Sequence, residues 1–324
     1  MLAAHDSRSN VLDSSALAMI MPEPGLCGLP TLVGRRVGQY QVTRLIASGG
    51  MGTVYEAQQD HPRRAIALKV MHHGSVSRSM LRRFEVEADI LGRLQHPAIA
   101  PIHEAGVFET DDGPQPFFAM ELIDGCSITE YAQRHHLGTR DRLALVLKVC
   151  EGVAHAHQRG VIHRDLKPAN ILVQDQKSQV RDQRTDDRRP KPLTCDFCSM
   201  TSVVKILDFG IARVTGADAA TTTLRTGVGV LMGTLAYMSP EQVAGDPTKI
   251  DQQSDVFALG VIAYELLAGR MPHDLSRRSI PEALRIMRDE EPTPLSAVNR
   301  FFRGDLDTIV AKALEKDKSR RYRS

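Results

Sequence analysis

His163-Arg164-Asp165-Leu166-Lys167-Pro168-Ala169-Asn170 is the stretch on which the reading of this chain turns. It gathers an imidazole, a carboxylate, two cations and a side-chain amide into one short loop. Downstream come Asp208-Phe209-Gly210 and then Ser239-Pro240-Glu241. An aspartate in such a loop can accept or orient the proton of an attacking hydroxyl. A second carboxylate and an amide oxygen can hold Mg2+, because transfer of a polyanion needs its charge neutralised. The three motifs in this order do not arise by chance.

Upstream, Ala47-Ser48-Gly49-Gly50-Met51-Gly52-Thr53-Val54 lies between strand-like segments at Tyr40–Ile46 and Thr53–Gln58. Glycines let a backbone turn approach phosphate oxygens and offer its N–H groups unobstructed. Alone, such a cluster reads equally well as a hairpin turn, and Ala47 stands where the usual G-x-G-x-x-G-x-V opens on glycine. Lys69 follows in the strand Ala65–Met71. By default a lysine there points to solvent; the functional reading sends it to α- and β-phosphate oxygens. Met80–Leu94 has the helical period, with Leu81, Phe84, Ala88 and Leu91 on one face. Glu87 shares that inward face, so it wants a cationic partner, and Lys69 is the candidate.

Two more strand-like segments, Ala100–Val107 and Phe117–Ile123, complete a small sheet-rich part, and the second half is mostly helical. Asp141–His157 is amphipathic. Ser254–Ala268 is apolar nearly all round, which implies a helix in the middle of a large domain, with Ser254 and Gly269 as caps. Residues 1–38 mix Ser, Asp, Pro and Gly without a sustained period and read as a flexible arm. Gln174–Ser202 is polar and mixed in charge and reads as a surface insertion.

Composition excludes several classes. Lys and Arg number 41 against 39 Asp and Glu, a net charge of +2, so no strong field favours nucleic acid or an anionic membrane. Five cysteines in 324 residues do not make a disulfide framework, which points to a reducing cytoplasm. Cys195 and Cys198 have half the spacing of a zinc site, with no second pair near them. No apolar run approaches the about 18 residues a membrane helix needs, and the N-terminus does not read as a secretory signal. Membrane association is therefore not encoded in this chain.

With these motifs the sequence resembles the eukaryotic-type protein kinases from about Tyr40 to the C-terminus. Ser-Gly-Gly-Met-Gly-Thr-Val-Tyr, Ile-Leu-Asp-Phe-Gly-Ile-Ala-Arg and Tyr-Met-Ser-Pro-Glu-Gln look most like the bacterial serine/threonine members. The resemblance implies an α+β, bilobal fold. The small β-rich N-lobe with one helix would span about 39–123 and the larger, mostly helical C-lobe about 124–324. It implies ATP and Mg2+, with Mn2+ as a substitute, and protein substrates bearing serine or threonine.

Carried over residue by residue, it makes Asp165 the base or orienter and sets Lys167 on the γ-phosphate. Lys69 would hold phosphates and pair with Glu87, and Asn170 and Asp208 would bind the metal. Ala47 to Gly52 and Val54 would cover the nucleotide, with Ala67 and Leu172 completing the adenine sandwich. Met120 would be the gatekeeper before a hinge at Glu121–Ile123. Leu91, Ile102, His163 and Phe209 would stack as a spine anchored by Asp255, and Glu241 would pair with Arg321.

Lys167 and the Gly233-Thr234 platform match the serine/threonine pattern, Thr234 bonding both Asp165 and Lys167. Arg164 would receive a phosphate from Thr221, Thr222, Thr223 or Thr226. A homodimer through the N-lobe is compatible with the family. The family also adds one more helix beyond Ser324, so the large lobe reads as cut short. The rival readings are a nucleotide-binding pseudokinase scaffold and a small-molecule phosphotransferase.

Overall fold

The computed structural model describes residues 32–50, 52–72, 78–111, 113–175, 202–209, 233–276 and 278–324. Short β-branched and aromatic runs build the first lobe as a six-stranded antiparallel sheet. Its strands are β1 (Arg36–Val37), β2 (Tyr40–Gly49), β3 (Gly52–Gln59), β4 (Arg64–Met71), β5 (Ile102–Thr110) and β6 (Gly113–Glu121). Their spatial order is β1-β2-β3-β4-β6-β5. One face packs Val37, Tyr40, Val42, Ile66, Leu68 and Phe117 together. Residues 32–38, assigned from composition to the arm, belong to this lobe, because Leu32 and Val37 are buried in that cluster.

The helix α1 (Arg78–Gly92) lies on the other face, where Phe84 stacks on Phe118 with ring centroids 4.9 Å apart. Leu91 closes the same core, which continues into the second lobe through Ile99, Ile128, Val149 and Ile206. That second lobe opens with β7 (Cys126–Ser127), α2 (Ile128–Arg134) and α3 (Thr139–Gln158), and with the hairpin β8 (Ile171–Asp175) and β9 (Ser202–Ile206). The pairings Asp175 with Ser202 and Gln174 with Val203 put both ends of the expected insertion inside this hairpin. Backbone hydrogen bonds hold polar residues there as readily as apolar ones. Residues 176–201, with Cys195 and Cys198, lie outside the described residues.

α4 (Pro240–Val243) and α5 (Gln252–Ala268) follow, then helices over Ile280–Asp289, Leu295–Val298 and Asp305–Ala313. α5 is buried on nearly every side, as its unbroken apolar composition requires. Its N-cap is Asp251, whose carboxylate accepts from the Gln253 N–H, rather than the expected Ser254. The helix starts three residues earlier, and a capping aspartate contributes about 1 kcal/mol. Ser254 instead turns its hydroxyl to Glu241. At the far end Gly269 takes the left-handed conformation expected of a C-cap. Among the described residues no helix is long and apolar enough to cross a membrane.

Candidate active site

Asp255, in the first turn of α5, organises the loop after α3. Its carboxylate accepts the backbone N–H groups of His163 and Arg164, both at 2.8 Å, and lies 2.8 Å from His157 Nε2. Arg164 has φ of 70°, a left-handed conformation costing a non-glycine residue about 1–3 kcal/mol. Two charge-assisted bonds to a fully buried carboxylate offset that cost. His163 is buried, donates from Nε2 to the Leu207 carbonyl at 2.8 Å, and accepts at Nδ1 from the Asp165 N–H at 3.3 Å. One imidazole tautomer satisfies both bonds and ties the loop to the segment carrying Asp208. Leu207 N–H adds a bond to the Asn170 carbonyl at 2.8 Å.

Asp165 is held on two sides. Lys167 Nζ sits 2.9 Å from Oδ2, and Asn170 Nδ2 donates to the Asp165 carbonyl at 2.8 Å and to Oδ2 at 3.3 Å. Lys167 also donates to Thr234 Oγ1 at 3.5 Å, so Thr234 engages the lysine. Among the described residues the expected second bond, to Asp165, is replaced by a bridge through Lys167, which also donates to Asp165 Oδ1 at 3.2 Å.

Lys69 is 6% exposed and so needs a counter-charge. The structure supplies Asp208, with Nζ to Oδ2 at 2.8 Å, in place of the expected Glu87. α1 turns Val86 and Ile90 to solvent at 61% and 40% exposure and keeps Glu87 only half-buried. Asp208 is thereby the carboxylate that reaches the ammonium, and it too has positive φ, at 62°. Phe209 packs on His163 with centroids 4.7 Å apart, and Leu91, Ile102 and Phe209 line one narrow cavity beside Met120. These are the side chains expected to stack.

The glycine turn joins β2 to β3, where Ala47 pairs with Val54, Ser48 with Thr53 and Gly49 with Gly52. Gly52 is required by space, since a Cβ there would lie 2.5 Å from the Val70 carbonyl oxygen. Gly50 occupies the turn itself, while Met51 lies outside the described residues. Val54 pairs with Lys69 and Ala67 with the buried Met120, so the strands carrying them form one wall. Leu172, on β8, belongs to the opposite one. Between the walls the chain leaves β6 after Glu121 and reaches β7 through half-buried Leu122 and Ile123.

Beside the loop that carries Asp165, Ser239 and Gln242 form a capping box on α4, and Gln242 Nε2 donates to the Arg164 carbonyl at 2.6 Å. Glu241 and Arg321 form a buried pair at 2.8 and 3.0 Å. Burial works to raise the Glu241 pKa, but hydrogen bonds from Arg321 and Ser254 and the guanidinium charge hold it below the ordinary value. Tyr237 donates to Glu265 at 2.7 Å; burial first, and the carboxylate second, push the phenol pKa up. Neither Gln242 nor Glu265 was singled out from sequence. Gln242, directly after Ser-Pro-Glu and three residues beyond the cap, was the readable one.

A family model described as protein kinase domain matches residues 40–323. The chain belongs to the protein kinase family. It is 33% identical over 289 residues to serine/threonine-protein kinase PknB of Mycobacterium tuberculosis, covering 88% of this chain and 41% of that relative. It is 33% identical over 294 residues to serine/threonine-protein kinase pkn2 of Myxococcus xanthus, covering 89% of this chain and 31% of that one. The kinase thus spans well under half the length of these curated relatives. The crystal structure of the M. tuberculosis PknI kinase domain superposes with a TM-score of 0.62 at 27% identity, covering 91% of this chain and 95% of that one. Kinases of this family use ATP with a divalent metal, which matches the bilobal cleft and its oxygen donors.

Proposed function

We propose that the chain transfers the γ-phosphoryl group of ATP to serine and threonine hydroxyls of proteins. The observation that carries this is Asp165, held in a rigid loop beside Lys167 and Asn170 and coupled through Leu207 to the segment of Asp208 and Lys69. A hydroxyl brought to the Asp165 carboxylate is oriented by it and gives up its proton to it as the new bond forms. Lys167, between Asp165 and Thr234, presents fixed positive charge to the γ-phosphoryl oxygens. Lys69, anchored by Asp208, has donors left for the α- and β-phosphates. Val54 and Ala67 on one wall and Leu172 on the other hold adenine, with the backbone of Glu121–Ile123 at its edge.

The residues fit Mg2+. Asn170 turns its amide hydrogens to Asp165, which leaves Oδ1 as an acceptor with no donor among the described residues. Asp208 supplies the carboxylate. One carboxylate and one amide oxygen, completed by substrate phosphates, is a donor set that Mg2+ uses, and Mn2+ accepts the same atoms. When bound, the ion neutralises phosphate charge. Among the described residues no cluster of three or more His, Cys, Asp or Glu would hold a metal unaided, in keeping with a site that nucleotide completes.

Arg164, beside the catalytic aspartate, is the receptor for a phosphothreonine made by the enzyme on itself, at Thr221, Thr222, Thr223 or Thr226. These four lie outside the described residues. The scaffold reading is set aside because Lys69, Asp165, Lys167, Asn170 and Asp208 are all present with compatible contacts. Incubation with Mg2+, γ-labelled ATP and a serine- and threonine-bearing protein, followed by phosphoamino-acid analysis, tests the proposal. Phosphoserine and phosphothreonine are expected. Label confined to tyrosine, or released only as inorganic phosphate, contradicts it.

A further inference from the structure

The link between the lobes is pinned to the β8–β9 hairpin at successive points. Glu121, the last residue of β6, forms an ion pair with Lys205 of β9, Oε2 to Nζ at 2.7 Å. Gln174 of β8 donates to the Asp124 carbonyl at 3.1 Å. At Gly125 the backbone presses on Val173, so that a Cβ would lie 2.6 Å from its carbonyl oxygen. On the hairpin side, Lys205 is the charged member among these anchors, and its side chain is 14% exposed. It sits opposite Leu172 in the hairpin register and three residues before Asp208.

A shielded lysine in a strand needs a counter-charge, and Glu121 is the carboxylate its ammonium reaches. His103 is a basic group that also feels the Glu121 charge. It is pushed toward its neutral form by burial first and by Arg64 second, and Arg64 spends its Nε on Gln59. Lys205 is therefore the cation in direct contact with the end of β6. The pair spans two bodies: the strand that leads into the adenine-binding backbone, and the hairpin that carries the adenine floor and leads into the metal-binding aspartate.

We propose that Lys205 is a positioning residue for ATP, fixing the Glu121–Ile123 backbone at a set distance from Leu172 and Asp208 through its ion pair with Glu121. It touches neither nucleotide nor substrate. Its loss loosens one wall of the adenine slot against the other, so it weakens nucleotide binding while the catalytic loop, held by Asp255, keeps its geometry. This inference rests on the reading of the cleft as an ATP site.

The test is ATP affinity by calorimetry together with KM and kcat in steady state, for Lys205→Met, Lys205→Arg, Glu121→Lys, Lys205→Glu and the swapped double variant. Lys205→Met is expected to raise the Kd and KM for ATP at least threefold with kcat within about twofold of wild type. Lys205→Arg, which keeps the charge, stays within threefold in Kd. The swapped pair binds ATP better than the weaker of its two single variants, a recovery that a lysine needed only for folding would not show. A Lys205→Met Kd within threefold of wild type, or a swap no better than the worse single variant, overturns the proposal. Wild-type chain that binds no ATP would instead refute the ATP site itself.

Discussion

Replacing Arg321 by methionine keeps the side-chain volume and removes the cation paired with Glu241. The guanidinium donates to both Glu241 oxygens at 2.8 and 3.0 Å. It also donates to the carbonyls of Glu315, Gln253 and Lys316 at 2.6, 3.0 and 3.1 Å. After the substitution the Glu241 carboxylate, 8% exposed, keeps one side-chain donor, Ser254 at 2.7 Å. Breaking a buried pair by removing one partner costs about 3–5 kcal/mol, a large share of a stability of roughly 5–15 kcal/mol. The expected fall in Tm is roughly 4–7 °C.

The pH dependence carries the sharper signature. In the wild type the depressed Glu241 pKa makes a contribution that is complete above the unfolded value and lost as pH falls through the folded one. In the variant burial remains without the cation, so the folded pKa rises above the unfolded value. That group then destabilises increasingly as pH rises through its new folded pKa. Urea unfolding at several pH values between 5 and 8 should show a deficit that grows toward pH 8. Arg321→Met/Glu241→Gln should recover more than half of it. A deficit below about 1 kcal/mol that does not change with pH would refute the reasoning, since it would mean that the pair merely breaks even.

Three further outcomes follow from the same structure. His273, 7% exposed and facing Lys316 at 3.2 Å, has its pKa lowered to about 4 by burial first and by that ammonium second. Its contribution is complete above pH 6.5 and is lost as pH falls toward 4, by at most about 3 kcal/mol, so His273→Gln should flatten acid unfolding in that window. Replacing residues 176–201 with a short glycine-containing turn should leave ATP affinity within about tenfold, roughly 1.4 kcal/mol. The hairpin stem is held independently by Tyr131 on Asp175 and Lys148 on the Ser202 carbonyl, both at 2.7 Å, and a larger loss would assign the insertion a part in binding. Phosphatase treatment of enzyme preincubated with Mg-ATP should lower turnover if Thr221, Thr222, Thr223 or Thr226 is the activating site, Thr226 first among them; equal turnover removes the switch.

What could be read from the sequence follows the range of the interactions. The loop around Asp165 announces itself because its chemistry needs several polar types within one turn, and Glu241 with Arg321 follows from the family pattern. Strand and helix periods located the lobes. Pairings decided by how bodies dock were not legible: Lys69 meets Asp208 rather than Glu87 because of where α1 sits, and no periodicity encodes that. Asp251 and Ser254 are both good caps, and only the hydroxyl's attraction to Glu241 shows which one caps. Glu121 was legible as the start of the hinge, but no motif or period pairs it with Lys205, since that contact exists only where the hairpin and the end of β6 come together.

The most direct measurement is steady-state phosphoryl transfer by Asp165→Asn beside wild type, with folding checked by thermal denaturation and ATP binding by calorimetry. Asparagine keeps the size and can still meet Lys167 and Asn170, but it neither takes the hydroxyl proton nor carries the charge that orients it. The account predicts a folded protein that binds ATP and turns over slower by about two to four orders of magnitude, the range of general-base catalysis. Retention of more than about a tenth of wild-type turnover, a change in barrier below about 1.4 kcal/mol, would contradict it.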